Sequence, residues 1–261
     1  MIIDIHTHVF PDKIAKAVLA NSEVELELAA KAPGTERGLR DYMEESRTDL
    51  SIVLAVAAEP RLVKKTNDWL LSIQDDRIQF FGAIHPDLEG WQQELMRLKG
   101  EGVKGIKFNA LMQKIRPDDA KLFPIYEKIL EEDMVVMIHA GSSYKERNKP
   151  GKILATPERI AKVLDSFPGL KVIAAHFGGN NVLEQMKEHL MGREIYLDTS
   201  YPPDVHSLNP DETLSIIRKH GANRILFGTD YPWETQIRSI DYICSLGLTE
   251  EEEEAILGEN A

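Results

Sequence analysis

Eight short apolar runs, each followed by a stretch of helical character, leave this chain few folds to adopt. They are MIIDIH (1–6), SIVLAVAA (51–58), IQFFGAIHP (78–86), VKGIKFNA (103–110), MVVMIHAG (134–141), KVIAAHFGG (171–179), EIYLDTS (194–200) and RILFGTDYPW (224–233). Such uninterrupted runs mark strands buried on both faces, as in a parallel sheet covered by helices. The helices between them carry their own signals. Thr156-Pro157 offers an N-cap and a first-turn proline, and Ile160, Val163, Leu164 and Phe167 then form one stripe before Pro168-Gly169. Asn209-Pro210-Asp211-Glu212 starts another helix that Gly221 ends, and Leu122, Ile125, Tyr126 and Ile129 mark a third.

Eight βα units in 261 residues suit a closed (β/α)8 TIM barrel better than an open doubly wound sheet. No glycine-rich dinucleotide fingerprint follows the first run. The chain reads as one domain, 1–261, with no repeat beyond the βα unit. Residues 21–40, NSEVELELAAKAPGTERGLR, fit the rhythm worst and are expected to be a loop insertion over the barrel mouth.

Charge and composition narrow the partners. A net charge of −12 disfavours nucleic acid, which needs a concentrated basic surface. The run Glu250 to Glu254 after Thr249 reads as the first turns of a capped helix, not as an interaction tail. No apolar stretch is long enough to span a bilayer. The single cysteine, Cys244, and the lack of a basic leader before the first strand make a cytoplasmic location the expectation. The expected partner is a small-molecule substrate, and the expected protein assembly is at most a homodimer.

In a barrel enzyme the chemistry sits where strands turn polar at their carboxyl ends. His6 and His8 close the first run, on one strand face about 7 Å apart. His85 ends the third, Lys107 lies near the end of the fourth, His139 ends the fifth and His176 the sixth, while Asp198 and Asp230 close the seventh and eighth. A lone strand-end histidine is usually just a satisfied hydrogen-bonding residue. Shared location is what that account leaves unexplained. His189, His206 and His220 lie in helical or loop sequence, and His220 suits the negative end of its helix.

The stretches IDIHTH, GVKGIKF, VVMIHAG, KVIAAHFGG, RILFGTDYPW and the closing ILGENA resemble, in order and spacing, the amidohydrolase superfamily. The resemblance is to the amidohydrolase-related branch that includes aminocarboxymuconate semialdehyde decarboxylase-like proteins. It implies that His6, His8, His139 and Asp230 ligate a divalent metal, with His176 beside it as a catalytic or supporting imidazole. Three imidazoles and a carboxylate suit zinc, with manganese, iron or cobalt as alternatives. One ion per chain is favoured over two. It would lower the pKa of a bound water, with Asp230 as the proton acceptor.

Lys107 has two functional readings: an ammonium that pairs with a substrate carboxylate, or a carboxylated lysine that bridges two metals. His85, Asp198 and Trp233 are candidates for substrate binding or for supporting a ligand. Tyr201 is expected to be a packing residue. The function expected first is hydrolysis of an amide or lactone of a small, carboxylated substrate. The alternative is decarboxylation of an unsaturated or aromatic acid. A TatD-type deoxyribonuclease ranks lowest, because that group needs a glutamate at strand four where this chain has Lys107.

Overall fold

The computed structural model describes residues 1–261, the side chain of residue 150 apart. The eight apolar runs form eight strands: β1 (Ile3–Thr7), β2 (Leu50–Leu54), β3 (Ile78–Ala83), β4 (Gly105–Phe108), β5 (Val135–Ile138), β6 (Lys171–Ala174), β7 (Tyr196–Asp198) and β8 (Ile225–Leu226). All neighbours pair in parallel, in chain order. Backbone hydrogen bonds bring β8 back to β1: Ile5 N–H donates to Phe227 O at 2.9 Å and Asp230 N–H to His6 O at 2.8 Å. The fold is a (β/α)8 TIM barrel.

Two apolar layers follow from strand alternation. Ile3, Ile5, Ile52, Phe81, Met137 and Ile173 fill the barrel interior. Ile106, Phe108, Val136, Ile138 and Val172 face outward against the helices. The helices start where the sequence indicates. Thr156 accepts from Arg159 N–H ahead of Pro157–Ser166, and Asn209 accepts from Glu212 N–H ahead of Pro210–His220. Thr249 and Glu252 form a capping box at the start of Glu250–Glu254, so the acidic run is a helix N-terminus.

Two expectations need correction. His220 is no cation at a helix end. It is fully buried, its Nε2–H donates to Ile195 O at 2.8 Å and its Nδ1 accepts from Gly192 N–H. A ring that donates at one nitrogen and accepts at the other is neutral. Residues 21–40 are likewise not one loop. They span the end of helix α1 (Asp12–Leu26), a connection at 27–35 and the start of helix α2 (Glu36–Ser46). α1 ends at Glu27 with φ 55°, a left-handed position where glycine would have announced the stop. Among the described residues no helix is long and apolar enough to cross a membrane.

Candidate metal centre and active site

The barrel's C-terminal face encloses a cavity of about 290 Å³ lined by His6, His8, Lys107, His139, His176, Asp230 and Trp233. Strand alternation alone does not put all of these inside. Ile5 and His6 are sequence neighbours, yet both face the barrel interior. The register of β1 against β2 shifts between Asp4 and Thr7, and such a bulge re-aims the following side chains. Asp4 is left on the outer side, accepting from Thr229 Oγ1 at 2.7 Å and Gln236 Nε2 at 3.1 Å. Burial pushes its carboxyl up to about 7. His176 is turned inward by left-handed backbone at His176 and Phe177, φ 61° and 49°. Asp230 is also left-handed, φ 65°, and strain of this kind concentrates at functional sites.

Hydrogen bonds settle which nitrogens carry protons. His6 Nδ1 lies 2.7 Å from Asp198 Oδ2, and Asp198 is held below the usual carboxylate range: burial opposes ionisation, but His6 and the hydrogen bonds outweigh it. An ionised carboxylate only accepts, so His6 donates from Nδ1. His8 Nδ1 sits 3.1 Å from Leu54 O, which also only accepts. In the neutral rings both Nε2 atoms then carry lone pairs. They face the same acceptor, Asp230 Oδ1, at 3.2 Å and 3.4 Å.

Three such atoms so close call for a positive charge among them, either a bound cation or a second proton on His6. One ligand atom from each of His6, His8 and Asp230 lies within 4.8 Å of the others. His139 lines the same cavity but is not one of the residues whose ligand atoms lie within 4.8 Å of one another; its Nε2 is buried and without a hydrogen-bond partner among the described residues. The trio of His6, His8 and Asp230 fits a divalent ion, with His139 the expected addition on the cavity wall.

Electrostatics agree for His8, His139 and His176, whereas His6 and Asp230 favour each other's charged forms, so that a proton on His6 takes the cation's place when no ion is bound. Burial keeps His139 well below the usual histidine value and pushes His176 to about 3, so both rings are neutral at physiological pH. Burial also lowers His8. For His6, burial and Lys107 are outweighed by Asp198 and Asp230, and its value rises. Burial opposes ionisation of Asp230 too, yet His6 and His8 hold it well below the carboxylate range.

The other expected residues divide. Lys107 is 1% exposed, lines the cavity, and its Nζ has no hydrogen-bond partner among the described residues. Trp233 also lines it, edge-on to His8 at 5.4 Å between ring centroids. Asp198 lies beneath the cavity, holding His6. His85 is not among the cavity-lining residues, and its Nδ1 accepts from Asp87 N–H at 3.2 Å. It closes its own loop. Tyr201 packs as expected, its hydroxyl accepting from Asn181 N–H.

Sequence reasoning missed Ser200, whose hydroxyl touches His176 and Asp198. Only its spacing of two from Asp198 hinted at a shared strand face. It also missed the roof. Val18, Ser22, Leu26 and Leu28, in and just after α1, cover the cavity. Lys145 pairs with Glu25 and Arg147 with Glu27 across the mouth, at 3.8 Å and 3.1 Å.

The turn after His139 depends on a glycine. Gly141 has φ +90°, and a Cβ there would lie 2.2 Å from Asn180 O. Gly141→Ala should therefore lower stability by about 3 kcal/mol, measured as a shift in the urea midpoint. An unchanged midpoint would mean the β5 and β6 ends separate freely.

A family model described as amidohydrolase matches residues 3–261. The chain belongs to the amidohydrolase family. No curated protein matches this amidohydrolase. It is similar in structure to 5-carboxyvanillate decarboxylase from Sphingomonas paucimobilis, with TM-score 0.75 and 17% identity over 99% of this chain and 97% of that one. It is also similar to a 2,6-dihydroxybenzoate decarboxylase complexed with 2,6-dihydroxybenzoate (TM-score 0.71, 17% identity, 99% and 97% covered). A third is a dihydroxybenzoic acid decarboxylase from a Polaromonas species with bound manganese and the inhibitor 2-nitroresorcinol (TM-score 0.69, 19% identity, 99% and 95% covered). At such identities the likeness shows a shared fold, and family membership makes the amidohydrolase a metal-dependent enzyme.

Proposed function

We propose that this amidohydrolase is a metal-dependent decarboxylase of a small unsaturated or aromatic carboxylic acid. The observation that carries the reading is Lys107, a buried ammonium without a hydrogen-bond partner among the described residues, on the wall of the cavity that the metal donors also line. An unpaired buried cation is costly, and a substrate carboxylate would relieve that cost. Hydrolysis of an amide or lactone, first on motifs alone, ranks second, because the solved structures with this fold cited above are those of decarboxylases. Nuclease activity gains no support from an acidic chain with lysine at β4.

His6, His8, His139 and Asp230 would hold the ion, with zinc or manganese suiting the donors. When bound, it polarises an oxygen of the substrate and stabilises negative charge that develops there. The residues of the chain do the rest. Lys107 Nζ receives the carboxylate, while Trp233 and the apolar roof formed by Val18, Leu26 and Leu28 hold the body of the substrate and exclude water. Loss of carbon dioxide leaves an electron pair on carbon that takes one proton, so R–COO⁻ and H⁺ become R–H and CO₂. Asp230 relays that proton from solvent: a carboxyl with so low a pKa gives up at once any proton it receives.

Carbon dioxide release from a panel of unsaturated and aromatic acids, beside acid release from lactones and amides, tests the reading. Turnover of lactones or amides without carbon dioxide would overturn it. The metal is tested separately. Chelated protein given manganese or zinc should take up about one equivalent, and saturation near 1,000-fold above Kd should add about 4 kcal/mol, or roughly 10 °C in Tm. His6→Ala should abolish that gain. No uptake would remove the metal, and two equivalents with added carbamate mass on Lys107 would replace the single-ion reading.

A further inference from the structure

Ser200 lies at the end of β7, two residues beyond Asp198 and 1% exposed. Thr199 between them points the other way, its hydroxyl donating to Gly228 O at 3.0 Å. Ser200 Oγ therefore faces the barrel interior with Asp198, as strand alternation requires. Asp198 Oδ1 accepts from His176 N–H at 2.8 Å, Ser200 N–H at 3.0 Å and the Ser200 hydroxyl at 2.6 Å. Its Oδ2 is taken by His6 Nδ1–H, and because that nitrogen already donates, it cannot accept the serine proton across its 3.1 Å contact with Ser200 Oγ. A serine has one hydroxyl proton, and here that proton goes to the carboxylate.

The next contacts follow by elimination. His176 Nδ1 lies 2.8 Å from Ser200 Oγ. Since the oxygen has no proton left to give, His176 must donate from Nδ1. In the neutral ring Nε2 is then an acceptor. His139 Nδ1 sits 3.0 Å from that atom and must donate to it. The remaining nitrogen, His139 Nε2, is left with its lone pair, buried, unpartnered among the described residues and on a cavity-lining ring. Both nitrogens of His176 are thus engaged.

We propose that Ser200 is a positioning residue: by giving its proton to Asp198 it holds the proton of His176 on Nδ1, and so keeps His139 Nε2 free as a metal ligand. Without the hydroxyl, His176 can place its proton on Nε2. His139 Nδ1 then becomes the acceptor, and its Nε2 gains a hydrogen that blocks ligation. The sequence Asp198, Ser200, His176, His139 is a one-way chain of donors and acceptors whose direction is set at the carboxylate. Partners that orient a ligating imidazole change metal affinity by about 10- to 100-fold when removed. The inference rests on the metal-binding part of the proposed function and not on the reaction catalysed.

The decisive measurement is made on metal-free, ¹⁵N-labelled protein, where long-range proton–nitrogen spectra report which ring nitrogen bears the proton. The wild type should show His176 and His139 both protonated on Nδ1. Ser200→Ala should move the His176 proton to Nε2 and weaken zinc or manganese binding by about tenfold or more, with unchanged circular dichroism. Ser200→Thr, which keeps the hydroxyl, should restore both. A wild-type His176 protonated on Nε2 would overturn the proposal, even if the alanine variant did not fold. So would an alanine variant with wild-type tautomers and affinity. Confirmed tautomers in a protein that releases no carbon dioxide would sink the decarboxylase reading and leave Ser200 in its place.

Discussion

Asp230→Asn is expected to lower turnover by about 100-fold or more while the protein still folds and binds metal. Asparagine keeps the size of the side chain and an oxygen that can face His6 Nε2 and His8 Nε2, which lie 3.2 Å and 3.4 Å from Asp230 Oδ1. It removes the ionisable carboxylate proposed to relay the proton. The left-handed backbone at this position, φ 65°, is tolerated by asparagine at least as well as by aspartate, so strain adds nothing to the loss. Turnover must be compared at equal metal content, measured by elemental analysis. Near-wild-type turnover in a fully metallated variant would confine Asp230 to ligation.

Lys107→Met is expected to trade function for stability. Burial lowers the Lys107 ammonium to about 8, against the pull of Asp198 and Asp230. A folded-state value below that of the unfolded chain means that folding opposes the proton. The penalty is fully present below pH 8 and fades as pH rises toward about 10.4, where the unfolded lysine also loses its charge. Chelated wild type should therefore gain stability across that window. The methionine variant should start on the order of 3 kcal/mol more stable at pH 7, several degrees higher in Tm, and lack the rise. On carboxylated substrates its KM should increase by roughly 30- to 100-fold, the loss of a charge-assisted contact, with uncharged analogues spared. Equal losses on both kinds of substrate would assign Lys107 to the metal. A variant less stable than wild type would show that the ammonium has a partner in the folded protein.

The sequence by itself determined the barrel, because its signals are local. An apolar run specifies a buried strand, and Thr156, Asn209 and Thr249 cap helices whatever surrounds them. It also placed His6, His8, Lys107, His139, His176 and Asp230 at one end of the sheet, since strand order in a barrel puts every carboxyl end on the same face. What it could not determine was which of these side chains turn inward. That depended on a bulge in β1 and on left-handed residues at His176 and Asp230, features with no period and no motif.

Tertiary structure alone decided the partners. His85 has the same strand-end signature as His139, yet it closes its own loop, because only the path of the chain after β3 brings Asp87 N–H to its ring. Ser200 carries no signature at all. Its importance comes from lying between Asp198 and His176, residues separated from each other by 22 positions. A hydrogen bond has a direction that depends on every neighbour's donors and acceptors, and those neighbours meet only when the barrel closes.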